Sequence, residues 1–158
     1  MRRFLLLTVI LGFALTSAYA FAPVGGALTK LDGVKCIVNP KAAAKLDKSR
    51  DYKGGSVYFC CDGCPKKFDG DTKAFATKAN AQLVQTGQAK QSKCPLSGGD
   101  LNKETEITVG GAKVQFCCNM CKGKVEKAEG DAQLELVFSD AAFEKAGFKV
   151  EKKDKGKP

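Results

Sequence analysis

Apolar and polar residues alternate in short runs that flank pairs of glycines. Residues 107–109 and 114–116 flank the segment 110–113, which begins with Gly110-Gly111. Two strand-long segments of alternating apolar and polar residues, separated by glycines, are typical of a β-hairpin. An earlier pair, Gly54-Gly55, precedes residues 56–59 and predicts a second hairpin with a returning strand. The mixed, lysine-rich residues 41–53 predict a loop.

Helical signals follow the hairpins. Pro65 favours the first turn of a helix. Asp71-Thr72 predicts the cap of a second helix that reaches about Asn80. Residues 139–147 predict a capped helix that Gly147 ends. The fold class we predict is α+β, with two small units, each a hairpin followed by a short helix, and additional helices.

A cysteine cluster occurs twice in the chain. Residues 59–64, Phe-Cys-Cys-Asp-Gly-Cys, return as residues 116–121, Phe-Cys-Cys-Asn-Met-Cys. One lone cysteine precedes each cluster, Cys36 in the first copy and Cys94 in the second, and together these sets contain all 8 cysteines. Downstream, the segment Ala-Gln-Leu-Val at 81–84 resembles Ala-Gln-Leu-Glu at 132–135.

The duplication divides the chain into two cysteine-rich repeats. We place the first at residues 33–90 and the second at residues 91–148. An N-terminal segment, 21–32, precedes them, and the tail at 149–158 alternates charges and predicts disorder.

The first 20 residues have the pattern of a secretory signal peptide. Arg2 and Arg3 form a basic start, residues 4–15 are apolar, and Ala18-Tyr19-Ala20 has the small-x-small pattern of a cleavage site. The apolar run is short for a membrane span, although an uncleaved N-terminal anchor is the alternative. We expect an exported protein, periplasmic or secreted, with no membrane span after cleavage.

The chain is basic, with a formal net charge of +9. Its positive residues are nearly all lysine, and aromatic residues are not interleaved with them, so the charge does not predict nucleic-acid binding. Lysines near both clusters favour thiolate over thiol. The chain has no histidine, which excludes a Ser/His/Asp arrangement, and no pair of carboxylates stands out. We therefore expect no enzyme.

Each cluster has the spacing of a soft-metal site. The predicted hairpin brings Cys60 and Cys61 to a strand end, and Cys64 falls in the first turn of the next helix, whose positive N-terminus stabilises a thiolate. Cys36 supplies a third sulfur. The residue three places after Cys36 is Asn39, which is a poor substitute for a thiolate. The fourth donor is left open between Cys61, water, a backbone group and no donor at all.

The second cluster repeats this arrangement with Ser97 three residues after Cys94, and Cys118 in the place of Cys61. A closed four-sulfur site favours structural zinc, whereas an open three-sulfur site suits Cu⁺ or an ion held for transfer. The sequence thus predicts two sites for Zn²⁺ or Cu⁺.

A lone cysteine followed by Cys-x3-Cys resembles the YHS/TRASH group of small metal-binding domains. Between the lone cysteine and the pair there are 23 residues in the first copy and 22 in the second. The resemblance covers residues 33–78 and 91–130. It implies a treble-clef core and a role in heavy-metal sensing, trafficking or resistance, with copper prominent. The ligand sets that it implies are Cys36, Cys60 and Cys64, and Cys94, Cys117 and Cys121. Cys61 and Cys118, which stand where the family often has serine, are additional candidates.

Three functions are compatible with this pattern. The first is an exported protein that sequesters or hands on copper or zinc, with a metal-transport or cell-envelope protein as partner. The second is a disulfide- or zinc-stapled module for protein interaction, because exported chains with an even number of cysteines are often disulfide frameworks. The third is a thiol oxidoreductase that uses Cys61 and Cys64, although the thioredoxin-like βαβ context is absent.

Overall fold

The computed structural model describes residues 28–151. The predicted signal peptide lies outside the described residues. Two hairpins hold most of the strand residues: β1 (Lys45–Tyr52) with β2 (Gly55–Phe59), and β4 (Asn102–Val109) with β5 (Ala112–Phe116). The remaining elements are α1 (Gly63–Gly70), α2 (Ala76–Gln85), β3 (Ala89–Lys90), α3 (Asn119–Glu126), α4 (Gly130–Phe138), α5 (Asp140–Lys145) and β6 (Lys149–Val150). The α+β class is confirmed.

Both predicted hairpins are present, and each closes through two residues of positive φ. Lys53 and Gly54 have φ of 49° and 88°, and Gly110 and Gly111 have φ of 56° and 84°. Two-residue hairpin loops favour such positive φ values because their twist matches that of the flanking strands. The glycines therefore fix the register, pairing Tyr52 with Gly55 in the first hairpin.

The prediction of a loop over residues 41–53 is wrong, because β1 occupies most of it. The strand carries polar and charged side chains on both faces, and none of its residues is fully buried. It is held by backbone pairing with β2, whose residues are all buried. Because β1 has no side that must pack in the core, its sequence shows no alternation of apolar and polar residues from which a strand could be predicted.

The helices differ in part from their predicted bounds. Cys64 lies in the first turn of α1, as expected. The second helix begins at Ala76 rather than beside Asp71-Thr72. Asp71 accepts a hydrogen bond from the Ala74 N–H at 3.0 Å and so closes a turn ahead of the helix. The predicted helix near Ser139 is present as α5.

Residues Lys149 and Val150 form a strand, in contrast to the predicted disordered tail. They make up β6, which pairs antiparallel with β3. The Glu151 N–H also donates to the Gln88 carbonyl at 2.9 Å. The residues that follow the second repeat are thereby paired with the end of the first. The charged residues 152–158 lie outside the described residues.

One hydrophobic core serves both repeats. Helix α2 from the first repeat packs against β2 of its own repeat and against β5, α4 and α5 of the second. Its Leu83 is fully buried. The core continues through these aromatic and aliphatic side chains: Phe59, Phe68, Val109, Val114, Phe116, Val137, Phe138, Phe143 and Phe148.

Polar contacts join the repeats at the rim of this core. Lys53, at the tip of the first hairpin, places its Nζ 2.6 Å from Asp140 Oδ1 and 4.9 Å from the centre of the Phe143 ring. Buried Asn80 donates to Asp140 Oδ1 at 2.9 Å and to the Phe138 carbonyl at 2.8 Å. The first repeat therefore fixes the start of α5 in the second.

None of the helices among residues 28–151 has the length and apolar character needed to cross a membrane.

The shared core predicts that the repeats unfold together. Leu83→Ala leaves a cavity between them and should lower the free energy of unfolding by about 2–5 kcal/mol. Denaturation followed both by circular dichroism and by tyrosine fluorescence should give one coincident transition. Leu136→Ala, at a side chain that is 42% exposed, is the control and should have little effect. Two separate transitions in the wild-type chain would contradict a shared core.

Candidate metal centres

The first candidate centre brings together three sulfurs from three segments of the chain. Cys36 comes from the loop ahead of β1, Cys60 follows β2, and Cys64 lies in α1. The three Sγ atoms all lie within 4.8 Å of one another. Cys60 Sγ and Cys64 Sγ are 3.6 Å apart. These are the three residues that the spacing and the family resemblance indicated.

The second centre repeats this geometry. Cys94, Cys117 and Cys121 have all their Sγ atoms within 4.8 Å of one another. Cys117 Sγ and Cys121 Sγ are again 3.6 Å apart. Cys117 follows β5, and Cys121 lies in the first turn of α3. The duplicated sequence pattern is therefore a duplicated three-dimensional arrangement.

The separation of the sulfurs fits a metal–thiolate site. Zn–S bonds of about 2.3 Å in tetrahedral geometry place two sulfurs about 3.8 Å apart. The 3.6 Å separations in both clusters are close to that value. A disulfide needs an S–S bond of about 2.05 Å, and all eight cysteines are free thiols in the structure. Three sulfurs that converge without bonding to each other can serve as ligands to one soft ion.

The middle cysteines stand beside these groups and differ between the copies. Cys61 Sγ lies 3.4 Å from Cys64 Sγ, whereas Cys118 Sγ lies 3.6 Å from Cys117 Sγ. Neither belongs to the set of sulfurs that are mutually within 4.8 Å. Cys61 is exposed and Cys118 is half-buried. Each middle cysteine contacts both the hairpin cysteine and the helix cysteine of its copy, so it stands beside the triad as a candidate fourth ligand.

The lone cysteine of the first centre is stabilised as a thiolate by backbone amides. Burial raises the pKa of Cys36, but hydrogen bonds from the N–H groups of Asn39, Cys60 and Val38 outweigh it, and the net pKa is lowered. The Asn39 N–H lies 3.4 Å from Cys36 Sγ. Asn39 thus contributes its backbone, not its side chain. The net shift of Cys64 has the opposite sign. Burial and hydrogen bonds with the neighbouring thiols raise its pKa well above the ordinary thiol value.

The second centre adds a hydroxyl to this arrangement. Burial raises the pKa of Cys94, yet hydrogen bonds from the Ser97 hydroxyl and from backbone N–H groups lower it overall, to about 7. Ser97 Oγ also lies 3.1 Å from Cys117 Sγ. Burial raises the pKa of Cys121 to about 12. In each cluster the pKa is therefore lowered at the lone cysteine and raised at the helix cysteine, and metal binding must displace the proton of the helix cysteine.

Solvent reaches the two centres to different extents. Cys36 and Cys64 are buried and Cys60 is half-buried in the first centre. In the second, only Cys94 is buried, whereas Cys117 and Cys121 are half-buried. Met120, on the outer side of α3, is 77% exposed. The second centre is the more open of the two.

Two glutamines next to the centres were not singled out from the sequence. Gln82 and Gln91 donate hydrogen bonds to the carbonyls of Lys35 and Lys93, the residues before the lone cysteines. Gln82 follows its lone cysteine and Gln91 precedes its own, so no common spacing relative to the cysteines pointed to them.

Comparisons with protein families, with curated proteins and with solved structures found no match to this chain.

The contact of Ser97 with Cys94 predicts a local electrostatic effect. Ser97→Ala removes the hydroxyl that stabilises the thiolate, so the pKa of Cys94 should rise from about 7 towards its ordinary value of 9.0. Cysteine Cβ chemical shifts followed by NMR across pH in reduced, metal-free protein would measure this. Cys36, in the other repeat, is the internal control. An unchanged pKa at Cys94 would contradict the role given to Ser97.

Proposed function

We propose that this protein is an exported binder of soft metal ions, holding Zn²⁺ or Cu⁺ at two three-cysteine centres. Its role would be to sequester ions or to hand them to a metal-transport or cell-envelope protein. The observation that carries the proposal is the convergence of three sulfurs within 4.8 Å, made twice from separate segments of one chain.

The chemistry of the donors favours soft ions. Each centre offers only thiol groups, and thiolates select Cu⁺ and Zn²⁺ over hard cations. The lowered pKa of Cys36 and of Cys94 also favours the thiolate form that binds an incoming cation.

Partial exposure supports exchange of the ion. In both centres the sulfur at the end of the hairpin, Cys60 or Cys117, is half-buried, while the lone cysteine is buried. An incoming ligand from a partner can approach the half-buried sulfur. A three-sulfur centre also leaves a coordination position open for that ligand, unlike a closed four-sulfur structural zinc site.

Membership of the YHS/TRASH group is part of this proposal. It is supported by the Cys-x3-Cys pairs that follow a lone cysteine and by the order of hairpin and helix in each repeat. Export is supported by the pattern of residues 1–20. In this reading the lysines near the clusters offset the negative charge of bound thiolates.

The proposal predicts two metal ions per chain. Native mass spectrometry of the reduced protein loaded with Zn²⁺, or with Cu⁺ under anaerobic conditions, should show this stoichiometry. Cys36→Ser should remove one ion and Cys94→Ser the other, because each deletes one of three ligands. Cys61→Ser and Cys118→Ser are matched controls on neighbouring thiols and should retain both ions.

The contrary outcomes are distinct. A chain purified from an oxidising compartment with four disulfides and no metal would support the stapled interaction module instead. Loss of an ion from Cys61→Ser or Cys118→Ser would show that the middle cysteine is a required ligand.

A further inference from the structure

A glutamine side chain ties the lone cysteine of the first centre to its hairpin. Gln82 Nε2 donates to the Lys35 carbonyl at 2.9 Å and to the Tyr58 carbonyl at 3.0 Å. The Tyr58 N–H donates back to Gln82 Oε1 at 2.7 Å. Lys35 is the neighbour of Cys36, and Tyr58 lies two residues before Cys60. One amide thus links the two segments that deliver two of the three sulfurs.

The second centre has the same set of bonds. Gln91 Nε2 donates to the Lys93 carbonyl at 2.9 Å and to the Gln115 carbonyl at 2.7 Å. The Gln115 N–H donates to Gln91 Oε1 at 3.0 Å. Lys93 precedes Cys94, and Gln115 lies two residues before Cys117. Each atom of the second set corresponds to one in the first.

The two glutamines nevertheless come from non-equivalent places in the repeats. Gln82 lies on α2, after its cluster, whereas Gln91 precedes its lone cysteine. The repeat partner of Gln82 is Gln133, which donates to the Val125 carbonyl at 3.0 Å and contacts neither cysteine segment. Duplication alone therefore does not account for both contacts, and the shared geometry points to a shared requirement of the two centres.

The amide suits this position for a physical reason. A carboxamide offers an acceptor and two donors in one plane, so it can pair with the N–H and C=O of one extended residue and still reach a third group. It completes the free edge of β2 or β5 where no further strand is present. Because the lone cysteine lies outside the hairpin, this link is one of the bonds that fix its distance from the hairpin sulfur, beside the backbone bonds of its own segment.

We infer that Gln82 and Gln91 are positioning residues, each of which sets the metal affinity of its own centre by fixing the lone cysteine against the hairpin. The inference rests on the proposed function. Groups that orient metal ligands without touching the metal typically change affinity by about 10–100-fold when they are replaced.

Gln88 provides a matched control, because its side chain bonds to the same strand, β2, as that of Gln82. Its Nε2 donates to the Ser56 carbonyl at 2.7 Å, and the Ser56 N–H donates to its Oε1 at 2.8 Å. It is buried, as Gln82 is. Its Nε2 also donates a hydrogen bond to the Thr86 hydroxyl. Gln88 thus completes the edge of β2 without linking this strand to the Cys36 segment.

The test compares Gln82→Met, Gln91→Met and Gln88→Met in competition titrations of Zn²⁺ against a chromophoric chelator. Each is made in a chain with a single intact centre, Cys94→Ser to keep the first and Cys36→Ser to keep the second. Gln82→Met should weaken the first centre by about 10–100-fold and leave the second unchanged. Gln91→Met should do the reverse, and Gln88→Met should change neither.

A second readout needs no metal. In the reduced metal-free protein, Gln82→Met should speed alkylation of the buried thiol of Cys36 without affecting Cys94, and Gln91→Met should have the opposite selectivity. Gln91 is half-buried and carries the test if Gln82→Met does not fold.

Different results would contradict the proposed function and the role given to the two glutamines. Wild-type protein that binds neither Zn²⁺ nor Cu⁺ overturns the proposed function and this inference together. Wild-type protein that binds two ions while the Gln82 and Gln91 variants bind as tightly overturns this inference alone. Equal weakening by Gln82→Met and Gln88→Met also overturns it, because general loosening of β2 would then explain the effect.

Discussion

Each centre depends on holding a cysteine that is outside any regular strand against a cysteine at the end of a hairpin. The Cys36 segment makes only an isolated bridge, between Lys35 and Ala43, and has no ladder of its own. Backbone amides directed at the Cys36 sulfur and the amide of Gln82 at the Lys35 carbonyl supply the missing restraints. Once this distance is set, the short turn between β2 and α1 delivers Cys64, and the triad is complete.

The hydrophobic core shared by the two repeats stabilises the position of the first cysteine triad. Helix α2 carries Gln82 and Leu83 on adjacent positions, so the same helix that buries the interface between repeats also holds the first centre. In the second repeat the restraint on Cys94 comes from the segment that leaves β3. Since β3 pairs with β6, the link between the repeats and the position of Gln91 are parts of one structure.

The centres are similar in backbone and different in chemistry. Ser97 adds a hydroxyl to the second centre where the first has only the backbone of Asn39, and the second has more exposed sulfurs. The middle cysteine approaches the helix sulfur in one copy and the hairpin sulfur in the other. These differences give the two cysteine clusters distinct electrostatics.

The features that could be predicted from the sequence depend on residues close to one another along the chain. Glycine pairs predicted both hairpins, and the cysteine spacing predicted both triads. It did not reveal β1, because a strand paired only on one side with exposed faces has no alternation to detect. The start of α2 was misplaced because Asp71 caps a turn and not the helix. Gln82 and Gln91 were missed because their contacts with the hairpins span 24 residues and because the two glutamines differ in sequence position between the repeats.

The central claim is that three cysteine sulfurs of each repeat bind one metal ion. X-ray absorption spectroscopy of the wild-type protein loaded with Zn²⁺ tests it directly. We expect a coordination shell dominated by sulfur, with three sulfur scatterers per zinc at about 2.3 Å. A shell of oxygen or nitrogen scatterers without sulfur would contradict it.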